Sequence, residues 1–232
     1  MLYLDDTLLD LINHSWTSPF LDHLMPAVSS LDVWQPFMIA GALWALIGGG
    51  RAGLCFIVSI VIGLVLGDVI LSHALKHAFS RPRPRDVRAG VIIRSLSPGD
   101  PKLFHVFEPP VVKVSEPSTD PVRHGNSFPS SHVVNLFMFA TVAFRYRRGA
   151  GILLGFVGIV VAWSRIYCGA HWPTDIPPSI LLGIASGFTA AWWVDFAARR
   201  FGWRENDQVS IPPTTLHPLV TPAVASADKP HK

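Results

Sequence analysis

Apolar residues gather along the chain into four long runs and one short one. Val33 to Gly48 is broken only by Gln35 and Pro36, and Ala52 to Leu71 only by Ser59 and Asp68. Ala150 to Ile166 and Ile176 to Ala198 follow later. Each approaches or reaches the ~20 residues a helix needs to cross a ~30 Å hydrocarbon core. Val133 to Phe144 is shorter, about a dozen residues, and its length alone suggests a buried core helix rather than a span.

The polar stretches divide the rest. Residues 2–14 mix Leu4, Leu8, Leu9, Leu11 and Ile12 with Asp5, Asp6 and Asp10. That segment is too short and too acidic to span. It predicts an amphipathic helix, lying on the membrane surface or packed against the bundle, with a second short helix over 19–30. From 80 to 130, Pro82, Pro84, Pro98, Pro109, Pro110, Pro117 and Pro129 preclude long helices. So long a connector is usually functional or disordered. The end of the chain is rich in Pro, Thr, Ser and charge, the composition of a disordered tail. The expected division is therefore N-terminal amphipathic helices over 1–32, a membrane-spanning domain over 33–200, and a disordered cytoplasmic tail over 201–232.

Composition agrees with a membrane protein: half of the chain is apolar and 15% is charged, against ~25% in soluble proteins. A net charge of +3 gives no reason to invoke nucleic acid. Cys55 and Cys168 form neither a disulfide framework nor a zinc-type spacing and read as buried filler. The arginines carry the orientation. Arg51, then Arg145, Arg147 and Arg148, then Arg199, Arg200 and Arg204 fall on one side if there are five spans, and that side is then cytoplasmic. The connector 80–130 lies on the other side. Its own arginines go against the charge rule and call for a further explanation, which a phosphate site supplies.

Three clusters of reactive residues sit at the outer ends of the spans. The first holds Lys76, Arg81 and Arg83; the second is Pro129-Ser130-Ser131-His132; the third holds Ser164, Arg165, His171 and Asp175. Cleaving a phosphate ester or anhydride requires donors for the non-bridging oxygens and little else done to the phosphoryl group. Lys76, Arg83 and Arg165 can supply them, arginine by its planar fork. An imidazole can attack phosphorus, and Asp175, four residues after His171, can reach one ring nitrogen and leave the other free. His132, at a helix start behind Ser130 and Ser131, is placed to protonate the leaving group and to turn backbone N–H groups toward phosphate.

Lys76-x6-Arg83-Pro84, Pro129-Ser130-Ser131-His132 and Ser164-Arg165-x5-His171-x3-Asp175 together resemble the three-part signature of the type 2 phosphatidic acid phosphatase and vanadium haloperoxidase superfamily. The resemblance extends over residues 30–200 and implies an all-α, polytopic membrane bundle of about five transmembrane helices. It implies His171 as nucleophile, Asp175 as its orienting partner and His132 as general acid, with Lys76, Arg83, Ser130 and Arg165 binding phosphate. Ser131 stands where the family commonly has glycine, and its hydroxyl can add a donor. The three clusters must meet on one side, which makes the short run a span as well, extended to Ser131–Tyr146.

The resemblance implies no cofactor, and the single motif carboxylate is too few for a two-metal site. The expected partner is a lipid phosphate entering from the outer leaflet of a bacterial plasma membrane. Undecaprenyl diphosphate matches best, with phosphatidylglycerophosphate, phosphatidic acid and lipid A phosphate as alternatives. A lipid phosphotransferase would use the same residues. A non-catalytic lipid-binding or transport protein would not need His132, His171 and Asp175. Other charged and aromatic residues have plainer readings. His73, His77, His105 and His124 pack; Arg81, Arg85, Arg88 and Arg94 form a solvated loop face. Asp68 hydrogen-bonds a neighbouring helix, Asp195 pairs with Arg199, and Trp172, Trp192, Trp193 and Trp203 lie in interfacial belts.

Overall fold

The computed structural model describes residues 3–99, 102–117 and 125–202. The expected tail from 203 onward, with Trp203, and also His124 lie outside the described residues. Each apolar run is a helix: α3 (Leu31–Gly48), α4 (Gly50–Leu64), α7 (Ser131–Tyr146), α8 (Arg148–Tyr167) and α9 (Ile176–Arg200), with α1 (Tyr3–Asp10) and α2 (Pro19–Ser29) before them. Helix α4 continues through a π-helical stretch, Val65–Ser72, into α5 (His73–Phe79), so Gly50–Phe79 forms one rod of 30 residues. Leu31–Gly48, Gly50–Phe79, Arg148–Tyr167 and Pro173–Arg200 are long and apolar enough to cross a membrane. Phe37, Trp44 and Ile47, Leu153 and Phe156, and Leu181 and Phe188 are exposed on their outer faces. Lipid, not water, is the solvent for such an apolar exterior. The chain is an integral membrane protein.

Helix α7 has 16 residues and lies in the middle of the bundle, with Val133, Val134, Met138 and Val142 wholly buried. Glycines set its neighbours' approach. Gly63 and Gly67 of the rod face Met138 and Val134, and Gly183 and Gly187 of α9 face Val134 and Met138. On the third side, Gly151 and Gly158 of α8 meet Phe144 and Phe137, which fixes α8 antiparallel to α7. At the arginine-rich end, Arg145 reaches Asp195 at 2.5 Å and ties α7 to α9. One partner of Asp195 thus lies across the helix pair.

The connector is folded. It carries α6 (Pro84–Val87) and an antiparallel hairpin of β1 (Ile92–Ser95) and β2 (Val111–Val114), with Ile92 opposite Val114. Asn13, just after α1, pins this hairpin to the end of α8. Its side chain donates to Ile92 O (2.9 Å) and Tyr167 O (2.7 Å) and accepts from Ile92 N (2.8 Å). Leu9 and Ile12 bury themselves beside Val91, Val133, Tyr167 and Trp172. The N-terminal helices therefore cover one end of the bundle and share its core.

Two expectations are corrected here. Arg88 pairs with Asp6 (3.4 Å) and Asp10 (2.6 Å), and Arg94 with Asp22 (2.5 Å), so these connector arginines do not form a solvated face. Arg94 is 5% exposed, stacks over Tyr167 and donates to the Asn13 and Tyr167 carbonyls. Their partners lie some seventy or more residues earlier in the chain, beyond the reach of local pattern. Trp172 is no belt residue: it is buried, and its indole N–H donates to Pro82 O at 2.9 Å.

Candidate active site

All three clusters converge at the covered end and are tied together by hydrogen bonds. Lys76 at the end of the rod donates to Ser131 Oγ at the start of α7 (2.6 Å). The chain next to Pro82 forms a short bridge with Asn126, and Ser127 N donates to Arg81 O (2.7 Å), which lays the first cluster alongside the approach to the second. Ser130 N donates to Ser179 Oγ of α9 (2.9 Å), and that hydroxyl donates to Asp175 O (2.6 Å). The second cluster is thereby fixed to the third.

Helix α8 ends in a tight cap that places His171. Ala170 N and His171 N both donate to Arg165 O, at 3.0 and 3.3 Å, around Gly169. Gly169 has φ +69°, and a Cβ there would sit 2.6 Å from Val91 Cγ1, so neither the backbone angle nor the space admits a side chain without strain. The cap turns the chain inward. His171 is 4% exposed, with Nδ1 at 2.6 Å from Ser127 O and 3.7 Å from Asp175 Oδ2. A carbonyl only accepts, so Nδ1 carries the proton and Nε2 keeps a free lone pair. Burial pushes the imidazole down to about 4; Asp175 pulls upward, and Arg165 and Arg83 add to the lowering. A neutral ring with its reactive nitrogen free is the form a nucleophile requires.

The expected His171–Asp175 contact is thus looser than the bond to Ser127 O, a partner no motif names. Asp175 is itself held by three groups. Oδ1 accepts from Arg81 Nη1 (2.5 Å), Oδ2 from Trp172 N (3.0 Å), and the backbone carbonyl from Ser179. Arg81 was expected in a solvated face; it lies against Asp175 and stacks over Trp172 at 5.6 Å.

The phosphate-binding candidates are near and open. Arg83 Nε, Arg165 Nε and Ser130 Oγ are buried without a hydrogen-bond partner among the described residues. Buried donors left unmade cost about 1–3 kcal/mol each, and an anion is the kind of partner such donors take. Arg165 is steadied by Ser29 of α2, through both the hydroxyl and the carbonyl. His132, in the first turn of α7, lies within electrostatic range of Arg165, His171, Asp68 and Arg83. Next to Lys76 and Ser131 a cavity of about 420 Å³ opens, lined also by Asp68, Val69 and His73. Asp68 accepts from Asn135 Nδ2 of α7 (3.2 Å), the structural bond expected of it, and it also faces this cavity. Among the described residues no group of three or more His, Cys, Asp or Glu is arranged to hold a metal.

A family model described as the PAP2 superfamily matches residues 52–199, well over half of the chain. A lipid A 4'-phosphatase of Bacteroides thetaiotaomicron is 26% identical over 212 residues, covering 89% of this chain and 83% of that protein. A putative undecaprenyl-diphosphatase of Escherichia coli is 39% identical over 66 residues, 28% of this chain and 33% of that protein. The crystal structure of Aquifex aeolicus LpxE superimposes with a TM-score of 0.58 at 22% identity, covering 82% of this chain and 95% of that one, and so shares the fold.

Proposed function

The chain belongs to the PAP2 superfamily, among its membrane lipid phosphatases, and we propose that it hydrolyses a lipid phosphate through a phosphohistidine at His171. The carrying observation is the tautomer: Ser127 O holds Nδ1–H, so the buried, neutral ring presents only Nε2 to a substrate. In the first step Nε2 bonds to phosphorus while the bond from phosphorus to the leaving oxygen breaks. His132, protonated, gives its proton to that oxygen. Lys76, Arg83, Arg165, Ser130 and Ser131 hold the non-bridging oxygens, whose charge grows as bonds exchange. In the second step His132 takes a proton from water. The hydroxyl oxygen bonds to phosphorus, the P–N bond breaks, and inorganic phosphate leaves with both rings restored.

For substrate, we infer a phosphate monoester on a glycolipid of the lipid A type, supported by the lipid A 4'-phosphatase relative, which aligns along most of both chains. Undecaprenyl diphosphate is the second reading, supported by the shorter but closer match to the undecaprenyl-diphosphatase. The reaction takes place on the extracytoplasmic face of a bacterial plasma membrane. Phosphate release from a panel of both lipids, phosphatidic acid and phosphatidylglycerophosphate by the detergent-purified protein tests the assignment. His171→Ala should lower turnover at least ~10³-fold, and activity that survives it would remove the mechanism. Activity should also persist in EDTA; loss there, restored by a divalent metal, would mean the chemistry needs an ion.

A further inference from the structure

Behind His171 stands an ion-pair array that reaches from Asp175 to a residue outside the three motifs. Asp5 of α1 is wholly buried, as is Asp175. Arg81 lies between them, with Nη2 at 2.5 Å from Asp5 Oδ2 and Nη1 at 2.5 Å from Asp175 Oδ1. Thr174 closes the array from the other side: its N–H donates to Asp5 Oδ1 (3.0 Å) and its hydroxyl to Asp5 Oδ2 (2.9 Å). Asp5 thus grips both the residue before Asp175 and the guanidinium bound to Asp175. We propose that Asp5 and Arg81 are positioning residues for the phosphoryl transfer, so that α1, far outside the signature motifs, forms part of the catalytic apparatus.

The physical case has two parts. The first is geometric. Asp175 Oδ2 stands 3.7 Å from Nδ1, a contact that can tighten as the reaction makes the ring cationic. Where the carboxylate stops is set by Arg81 on Oδ1 and by the Thr174 backbone that Asp5 holds. The second is electrostatic. When Nε2 takes the phosphoryl group, Nδ1 remains protonated and the ring becomes cationic. Two carboxylates sharing one guanidinium leave one unneutralised negative charge behind that ring, in a buried setting where it is weakly screened. Both effects act on the chemical step and leave the phosphate-binding donors untouched.

The inference rests on His171 as nucleophile, and its test separates the two. Steady-state kinetics are measured on the full-length, detergent-purified protein with a synthetic lipid A analogue bearing the phosphate, or with whichever panel lipid it hydrolyses. Asp5→Asn removes the charge and keeps the size. It should lower kcat by roughly 10- to 100-fold, the range seen when a partner that orients a ligating histidine is lost, with KM changed less than about threefold. Arg81→Lys keeps the charge but lacks the fork that spans two carboxylates. It should fall in the same range, and it decides the matter if Asp5→Asn does not fold. In an Asp175→Asn background Asp5→Asn should cost less than about threefold further, because its route to the ring is already gone. Asp10→Asn, which breaks an ion pair of the same helix with Arg88, should stay within about twofold of the wild type. Equal losses in Asp5→Asn and Asp10→Asn, a rise in KM with kcat unchanged, or undiminished additivity with Asp175→Asn would each overturn the proposal. Failure of His171→Ala to abolish turnover would remove the nucleophile instead, whatever the Asp5 series gives.

Discussion

At the scale of single residues, His171 carries its reactivity in the division of labour between its two nitrogens. Ser127 O fixes the proton on Nδ1, and burial keeps the ring neutral down to about 4. A group whose folded value lies below its ordinary ~6.5 stays unprotonated as the pH falls through that value, and charges only near the lower one. In ring-labelled protein, the His171 resonances, assigned by their loss in His171→Ala, should therefore not titrate between pH 5.5 and 8. A midpoint near 6.5 would sink the account of the site. The linkage has the same sign in folding: the unfolded chain takes up the proton first, so this group's contribution to stability declines as pH falls from about 6.5 toward 4. Chemical residue types made His171, His132 and the candidate phosphate donors stand out in the sequence, because the proposed phosphoryl transfer demands them. Ser127 was not legible. It contributes a carbonyl, which every residue has, held beside the first cluster by the bridge between Pro82 and Asn126 and by the bond from Ser127 N to Arg81 O.

At the scale of elements, the apolar runs anticipated the helices within a few residues, since the length of a span is dictated by the membrane rather than by local propensity. What the runs did not announce is why the shortest of the five apolar runs sits in the centre. Two seams explain it. Gly63 and Gly67 on the rod, and Gly183 and Gly187 on α9, are each spaced four apart, the small-x3-small pattern that lets backbones approach closely. Both seams face Val134 and Met138 of α7. A Cβ at Gly187 would lie 2.7 Å from Met138 O and 2.9 Å from Thr141 Cβ, so α7 and α9 would have to part. Gly187→Ala should cost about 1–3 kcal/mol, read as a lower melting temperature in detergent. Gly155→Ala on α8 meets nothing within 4 Å, and should leave the melting temperature unchanged or slightly raised. An equal loss for the two would mean that the seam does not set the packing. The hairpin of β1 and β2 left little trace in sequence, because strands of 4 residues are too short for alternation to declare itself.

At the scale of the whole molecule, the charges are sorted by partner as well as by side. Toward the active-site end, Arg81, Arg88 and Arg94 each engage an aspartate from the first helices, and these pairs answer the objection that basic residues there oppose the charge rule. At the far end, Arg51, Arg147, Arg148, Arg199 and Arg200 are exposed, the arrangement that holds loops in the cytoplasm. From this arrangement we propose that the site opens outside, where a lipid phosphate of the outer leaflet can reach it without crossing the core. Two single cysteines test this in a chain whose Cys55 is replaced by alanine, Cys168 being buried. Lys113→Cys on β2 and Arg148→Cys at the head of α8 both occupy exposed positions at opposite ends. In intact spheroplasts a membrane-impermeant maleimide should label the first and spare the second, while disrupted membranes should expose both. Labelling of Arg148→Cys alone would invert the topology. It would place the phosphate site in the cytoplasm, although the geometry around His171 would remain as described.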